Sequence, residues 1–211
     1  MKYSDGRPVE IAFLIEISSK FPQMFLNEKG RTSVKNDGLM PSALSGPVLD
    51  FLMPKITLLG NGGAIWILAA LILLCTKKYR RQGVLLLVGL IASVLVGNAC
   101  LKNLIARPRP CWLDSSVQLL IANPADYSFP SGHTLSSVIG ATGLTKTNRR
   151  FGYAAIPLAA LIAFSRLYLY VHFPSDVLAA AVLGVALGEL VWRCGGKLLE
   201  RWHAPRGRQR A

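Results

Sequence analysis

Acidic side chains are scarce in this chain. Aspartate and glutamate together number 11, against 24 lysines and arginines, so the formal net charge is +13. Charged residues of either sign make up only 17% of the 211 residues, little for a domain that solvates its whole surface. Histidine is scarcer, at three. The four cysteines (Cys75, Cys100, Cys111 and Cys194) form no CxxC pair and stand at no zinc spacing from a histidine, which argues against a zinc module. They read as small apolar side chains. A basic start followed by an apolar stretch and a small-residue cleavage site is not seen at the N-terminus, so no cleavable signal peptide is expected. No internal repeat or low-complexity segment stands out.

What the chain has in excess is apolar sequence. Hydrophobic residues make up 52% and the mean hydropathy is +0.39, values that favour a membrane protein. A nucleic-acid binder would gather its cations on one face of a soluble fold. Here they fall in short runs between apolar segments, so topology and an anionic ligand explain them better. No nucleic-acid partner is expected.

Five apolar segments are expected to cross or enter a bilayer: Ile56 to Thr76, Gly83 to Leu101, the short Ser131 to Thr145, Phe151 to Tyr170, and Val177 to Trp192. The third is too short to cross alone and has to begin below the surface or lie in a protein-lined region. The fold class is therefore all-α, an integral membrane bundle of about five transmembrane helices. Ahead of it, Pro8 to Leu26 is apolar but broken by Glu10, Glu16 and Lys20, and reads as a helix lying at the interface, with a membrane crossing over residues 9–26 as the alternative. Three parts follow: an N-terminal interfacial helix and loop (1–55), a transmembrane domain (56–195) and a basic tail (196–211).

Basic clusters orient the segments. Lys77, Lys78, Arg80 and Arg81 follow the first segment, Lys146, Arg149 and Arg150 the third, and Arg193, Lys197 and Arg201 the fifth. With five segments all three clusters share one side, which the positive-inside rule makes the cytoplasm. The opposite, extracytoplasmic side receives nearly every unusual polar residue. The expected location is the cell membrane, with the site facing outward. Cys111, in the loop on that side, is expected to be reachable from outside.

Three outer clusters carry the chemistry. In Lys102 to Pro110 (K-N-L-I-A-R-P-R-P), Arg107 and Arg109 each precede a proline and are pushed toward extended backbone. Cations on the outer side violate the positive-inside bias, and an anionic ligand would explain the violation. In Tyr127 to Thr134 (Y-S-F-P-S-G-H-T), Pro130 suits a first helical turn, with Ser131, Gly132 and His133 in the N-terminal turn, whose free N–H groups favour an anion. In Phe164 to Asp176 (F-S-R-L-Y-L-Y-V-H-F-P-S-D), Pro174 places His172 before a helix and Asp176 in its first turn. A carboxylate there can hold one imidazole nitrogen and leave the other nucleophilic. Arg166 can grip phosphate oxygens in pairs.

In order these clusters spell K-x6-R-P, P-S-G-H and S-R-x5-H-x3-D, each at an outer helix end. Residues 56–195 thereby resemble the type 2 phosphatidic acid phosphatase superfamily, which also includes vanadium haloperoxidases. The resemblance implies an integral membrane lipid phosphatase. Lys102, Arg109, Ser131, Gly132 and Arg166 would bind the phosphate. His172 would attack phosphorus, Asp176 would hold His172, and His133 would protonate the leaving oxygen. No metal or cofactor is implied. The family spacing selects Arg109, with Arg107 able to share its load. Undecaprenyl diphosphate is the favoured substrate, and phosphatidylglycerophosphate and phosphatidic acid are compatible. Two other readings are vanadate-dependent halide oxidation and a non-enzymatic protein that binds or carries a lipid phosphate.

Overall fold

A proline at the first helical position loses no hydrogen bond, because the N–H there has no intrahelical acceptor. Pro47 opens helix α1 (Pro47–Leu59) in this way. The computed structural model describes residues 46–203, with side chains as far as Lys197. Every regular element among them is helical. The expected interfacial helix near the N-terminus and most of the basic tail lie outside the described residues.

Helix α1 is joined to α2 (Ala64–Cys75) by a single tight turn, Asn61–Gly63, and the two helices are bent by 45°. Gly62 and Gly63 have φ of 58° and 73°, left-handed values that a Cβ would strain, so this glycine pair permits the break. The first expected segment is thus two half-helices rather than one straight rod. Helix α3 (Arg80–Ser93) continues through a π-helical stretch, Val94–Leu101, into the short α4 (Lys102–Ile105), and α5 (Pro110–Leu113) follows. A π stretch adds a residue per turn and so changes which face the next residues present. Lys102, the first residue beyond it, is buried.

The remaining helices are α6 (Gly132–Thr147), α7 (Arg149–Tyr168) and α8 (Pro174–His203). Three segments are long and apolar enough to cross a membrane: Lys77–Leu113, Arg149–Tyr168 and Pro174–Lys197, with the bent α1–α2 pair as a fourth, broken span. The about five crossing helices expected from sequence therefore become these plus α6, which is set apart by its burial. It runs G-H-T-L-S-S-V-I-G-A-T-G-L-T-K-T and is covered by protein along most of its length, including Thr134, Ser136, Ser137, Ile139 and Gly140. It packs on α3, α7 and α8. The expectation of a short, protein-lined segment holds here.

Small residues let the helices close on α6. A Cβ on Gly140 would stand 2.4 Å from the Trp66 ring, and one on Gly184 2.8 Å from Val138. Trp66 itself is 1% exposed and donates to Ser137 Oγ at 3.0 Å. Around this contact lie Leu86, Leu90, Leu135, Ile139 and Ile162, which form the main core. The outward faces carry Phe51, Leu58, Ile72, Ile91, Leu95, Tyr153 and Val182, all exposed, as suits hydrocarbon.

The basic clusters meet at one end. Arg81 donates to the Gly196 carbonyl, Tyr79 stacks edge-on against Phe151 at 5.7 Å, and Lys146 pairs with Glu189 at 2.6 Å. The site residues gather at the other end.

Candidate active site

Two prolines fix the first strip of the site. Ala106 turns the chain out of α4 with φ 47°, and residues 106–109 are irregular. Arg109 is extended (φ −81°, ψ 155°) as the residue before Pro110, in line with the sequence expectation. Its guanidinium is 2% exposed and fully engaged. Nε donates to the Asp126 carbonyl at 2.6 Å, Nη1 to the Val171 carbonyl at 2.7 Å, and Nη2 to Asp126 Oδ1 at 2.6 Å. Nη1 also stands 3.2 Å from His172 Nε2. An arginine cannot accept, so Nε2 is the unprotonated nitrogen and the proton sits on Nδ1.

Arg107 departs from the role left open for it. Its Nη1 bonds Asp176 Oδ1 and Ser175 Oγ, both at 2.7 Å, and its guanidinium lies 4.0 Å from the centre of the Phe173 ring. It braces the carboxylate behind His172 and does not join Lys102 and Arg109.

Asp176 lies in the first turn of α8, as its position after Pro174 required, and is fully buried. The direct His172–Asp176 hydrogen bond expected from sequence is not formed. Nδ1 and Oδ2 are 3.8 Å apart, because Ser128 stands between them. Its Oγ donates to Asp176 Oδ2 at 2.5 Å and lies 3.4 Å from His172 Nδ1. The Phe173 backbone N–H donates to the same carboxylate oxygen at 2.9 Å. Ser128 was missed in the sequence, although it sits inside the Y-S-F-P-S-G-H-T stretch, where a serine before the motif carries no distinguishing pattern.

Burial pushes the His172 imidazole down to about 4, with Arg109 and Arg166 adding to it and Asp176 opposing. The ring is therefore neutral near pH 7. Arg166, 4% exposed, donates Nη1 to Thr57 Oγ1 at 2.5 Å, while its Nε has no protein acceptor. A buried guanidinium N–H without a partner is costly unless a ligand oxygen satisfies it.

Ser131 is the N-cap of α6. Its Oγ accepts from the Thr134 N–H at 3.4 Å and from Thr134 Oγ1 at 3.0 Å. Pro130 precedes the cap, after a cis peptide bond, rather than starting the helix. Gly132 opens the helix, and a Cβ on it would meet Asn98 Oδ1 at 3.0 Å. His133 follows, with Nε2 2.8 Å from Asn61 Oδ1 in the glycine-rich turn. Gly60 presses on the same ring, since a Cβ there would stand 2.8 Å from His133 Cδ2. The α1–α2 break thus seats His133, a contact that Gly60 and Asn61 did not reveal in sequence.

Lys102 Nζ donates to Asp126 Oδ2. The Asp126 carboxyl, in an irregular loop, is pushed up by burial, but Lys102 and Arg109 outweigh that and hold it down at about 2. A cavity of about 290 Å³ is lined on its polar side by Lys102, Asp126, Asn98 and His133 with Ser93 and Ser136, and on its apolar side by Ile67, Leu87, Leu90, Ile91 and Val94. Cys111, expected to be accessible, is 7% exposed and packs against Met53, Leu169 and Val171.

The buried His172 and Asp176, the cations Lys102, Arg109 and Arg166, and the Ser131-capped helix share one end of a bundle of membrane-length helices. The chain belongs to the PAP2 superfamily, whose family model matches residues 82–200. An undecaprenyl-diphosphatase of Sulfolobus acidocaldarius is 35% identical over 121 residues, which cover 57% of this chain and 58% of that protein. The undecaprenyl-diphosphatase BcrC of Bacillus subtilis is 30% identical over 150 residues, 69% of this chain and 75% of that one. Among solved structures, the transmembrane PAP2-type phosphatidylglycerolphosphate phosphatase of Bacillus subtilis superposes with a TM-score of 0.60 at 28% identity, over 74% of this chain and 81% of that chain.

Proposed function

We propose that this chain is an integral membrane lipid phosphatase that works through a phosphohistidine on His172, with a polyprenyl diphosphate as its preferred substrate. The observation that carries the reading is the pair of contacts on the His172 ring: Arg109 at Nε2, and Ser128 with Asp176 behind Nδ1. That arrangement fixes the tautomer with the lone pair on Nε2, which Arg109 Nη1 occupies and would release on turning to a phosphate oxygen beside Arg166.

In the first step Nε2 attacks phosphorus, the bond from phosphorus to the leaving oxygen breaks, and His133 gives that oxygen its proton. In the second a water oxygen attacks phosphorus, His133 takes the water proton, and the P–N bond breaks with its electrons returning to Nε2. Lys102, Arg109 and Arg166 neutralise the charge on the equatorial oxygens. Ser131 and the N–H groups that open α6 add neutral donors.

The names of the two undecaprenyl-diphosphatase relatives support a polyprenyl diphosphate. The gathering of the basic clusters at the end of the bundle away from the site supports a site on the extracytoplasmic side of the cell membrane. A phosphate-release panel over lipid mono- and diphosphates, run with the purified chain in detergent, tests the reading. Release is expected to be fastest from undecaprenyl diphosphate. No release from any lipid phosphate would contradict it.

A further inference from the structure

Asp126 holds both cations that the reading above assigns to the phosphate. Its Oδ2 accepts from Lys102 Nζ and its Oδ1 from Arg109 Nη2 at 2.6 Å, so one carboxylate bridges them as a phosphoryl group would. The two cations are fixed, at 8% and 2% exposed, while the Asp126 side chain is 56% exposed in a loop without regular structure. Arg109 covers Nε2 of His172, and His172 is 1% exposed. The cavity reaches Lys102, Asp126 and His133.

We propose that Asp126 is a built-in competitor for the phosphate: its carboxylate occupies the seat between Lys102 and Arg109 and has to swing out before a phosphoryl group can take both cations and reach His172. The proposal rests on the phosphate-site reading and adds a residue that sets which anions bind. A weakly charged anion cannot displace a carboxylate with two charge-assisted bonds, whereas a phosphate dianion or a diphosphate brings more charge and more acceptor oxygens to the same cations. The backbone allows the exchange. Arg109 still bonds the carbonyls of Asp126, Tyr127 and Val171 when the Asp126 side chain leaves, so the seat keeps its shape.

Calorimetric titration of inorganic phosphate into the full chain in detergent tests this, using the native chain, Asp126→Asn, Asp126→Ala and Arg166→Ala. Loss of the competing charge-assisted bonds should tighten phosphate binding by about tenfold in both Asp126 variants. Equal or weaker binding in folded Asp126 variants would make Asp126 a strut and overturn the proposal. If Arg166→Ala loses binding while the Asp126 variants gain none, the phosphate site stands and only this inference fails. If no form binds phosphate, the site reading fails with it.

Discussion

Nη1 of Arg109 stands 3.2 Å from Nε2 of His172, and the two side chains are 2% and 1% exposed. A permanent cation on one ring nitrogen sets the tautomer and opposes protonation of the ring, and burial acts in the same direction. The acid limb of the rate profile should show this. With His172 pushed to about 4 from its ordinary 6.5, kcat/KM corrected for substrate ionisation should hold down to about pH 5 and fall below it. A midpoint near 6.5 assigned to His172 would contradict the burial argument.

Ser128 is fully buried, donates to Asp176 and stands beside Nδ1 of His172, so it positions the pair. Ser128→Ala leaves a buried carboxylate oxygen short of a donor, a loss of about 1–3 kcal/mol. Steady-state kinetics should show kcat lower by about ten- to a hundredfold with KM nearly unchanged. Ser128→Thr should restore much of it, and failure of that rescue would point to a packing role.

Asn61 and Gly60 hold His133 from the break between α1 and α2. Asn61→Ala should lower kcat by about tenfold, the value of one hydrogen bond to a group that carries charge during the reaction. Read as kcat/KM, which covers only the steps up to leaving-group departure, the effect should fall away with a substrate whose leaving group needs no proton, such as a nitrophenyl phosphate, while kcat keeps the loss of His133 as base toward water. An equal loss of kcat/KM on both substrates would mean that Asn61 acts elsewhere.

Gly140 meets the face of Trp66, where a Cβ would stand 2.4 Å from ring carbons that are locked by the Ser137 bond. Gly140→Ala should destabilise the chain by about 1–3 kcal/mol through overpacking. A thermal melt in detergent reads this as a fall in Tm, and an unchanged Tm would show that α2 can shift.

The pre-proline arginine and the first-turn position of Asp176 were legible in the sequence, because local backbone chemistry fixes each of them, whereas the start of α6 was expected at Pro130 and Ser131 caps it instead. Also legible was the burial of the short, Ser- and Gly-rich α6. What was not legible depends on contacts between distant stretches. Ser128 intervenes between His172 and Asp176, Arg107 turns to Asp176, and Asp126 bridges two cations, all through a loop with no periodicity to read. The bend at Gly62 and Gly63 was masked by the unbroken apolar run on both of its sides. Cys111 looked like a loop residue, yet α5 turns it into the core beside Leu169 and Val171.

Rapid-quench turnover of a lipid phosphate carrying radioactive phosphorus bears most directly on the role of His172. The account predicts an acid-labile phosphoprotein whose label maps to His172, and its disappearance together with phosphate release in His172→Ala. Near-normal turnover by His172→Ala, or label on another residue, would contradict it.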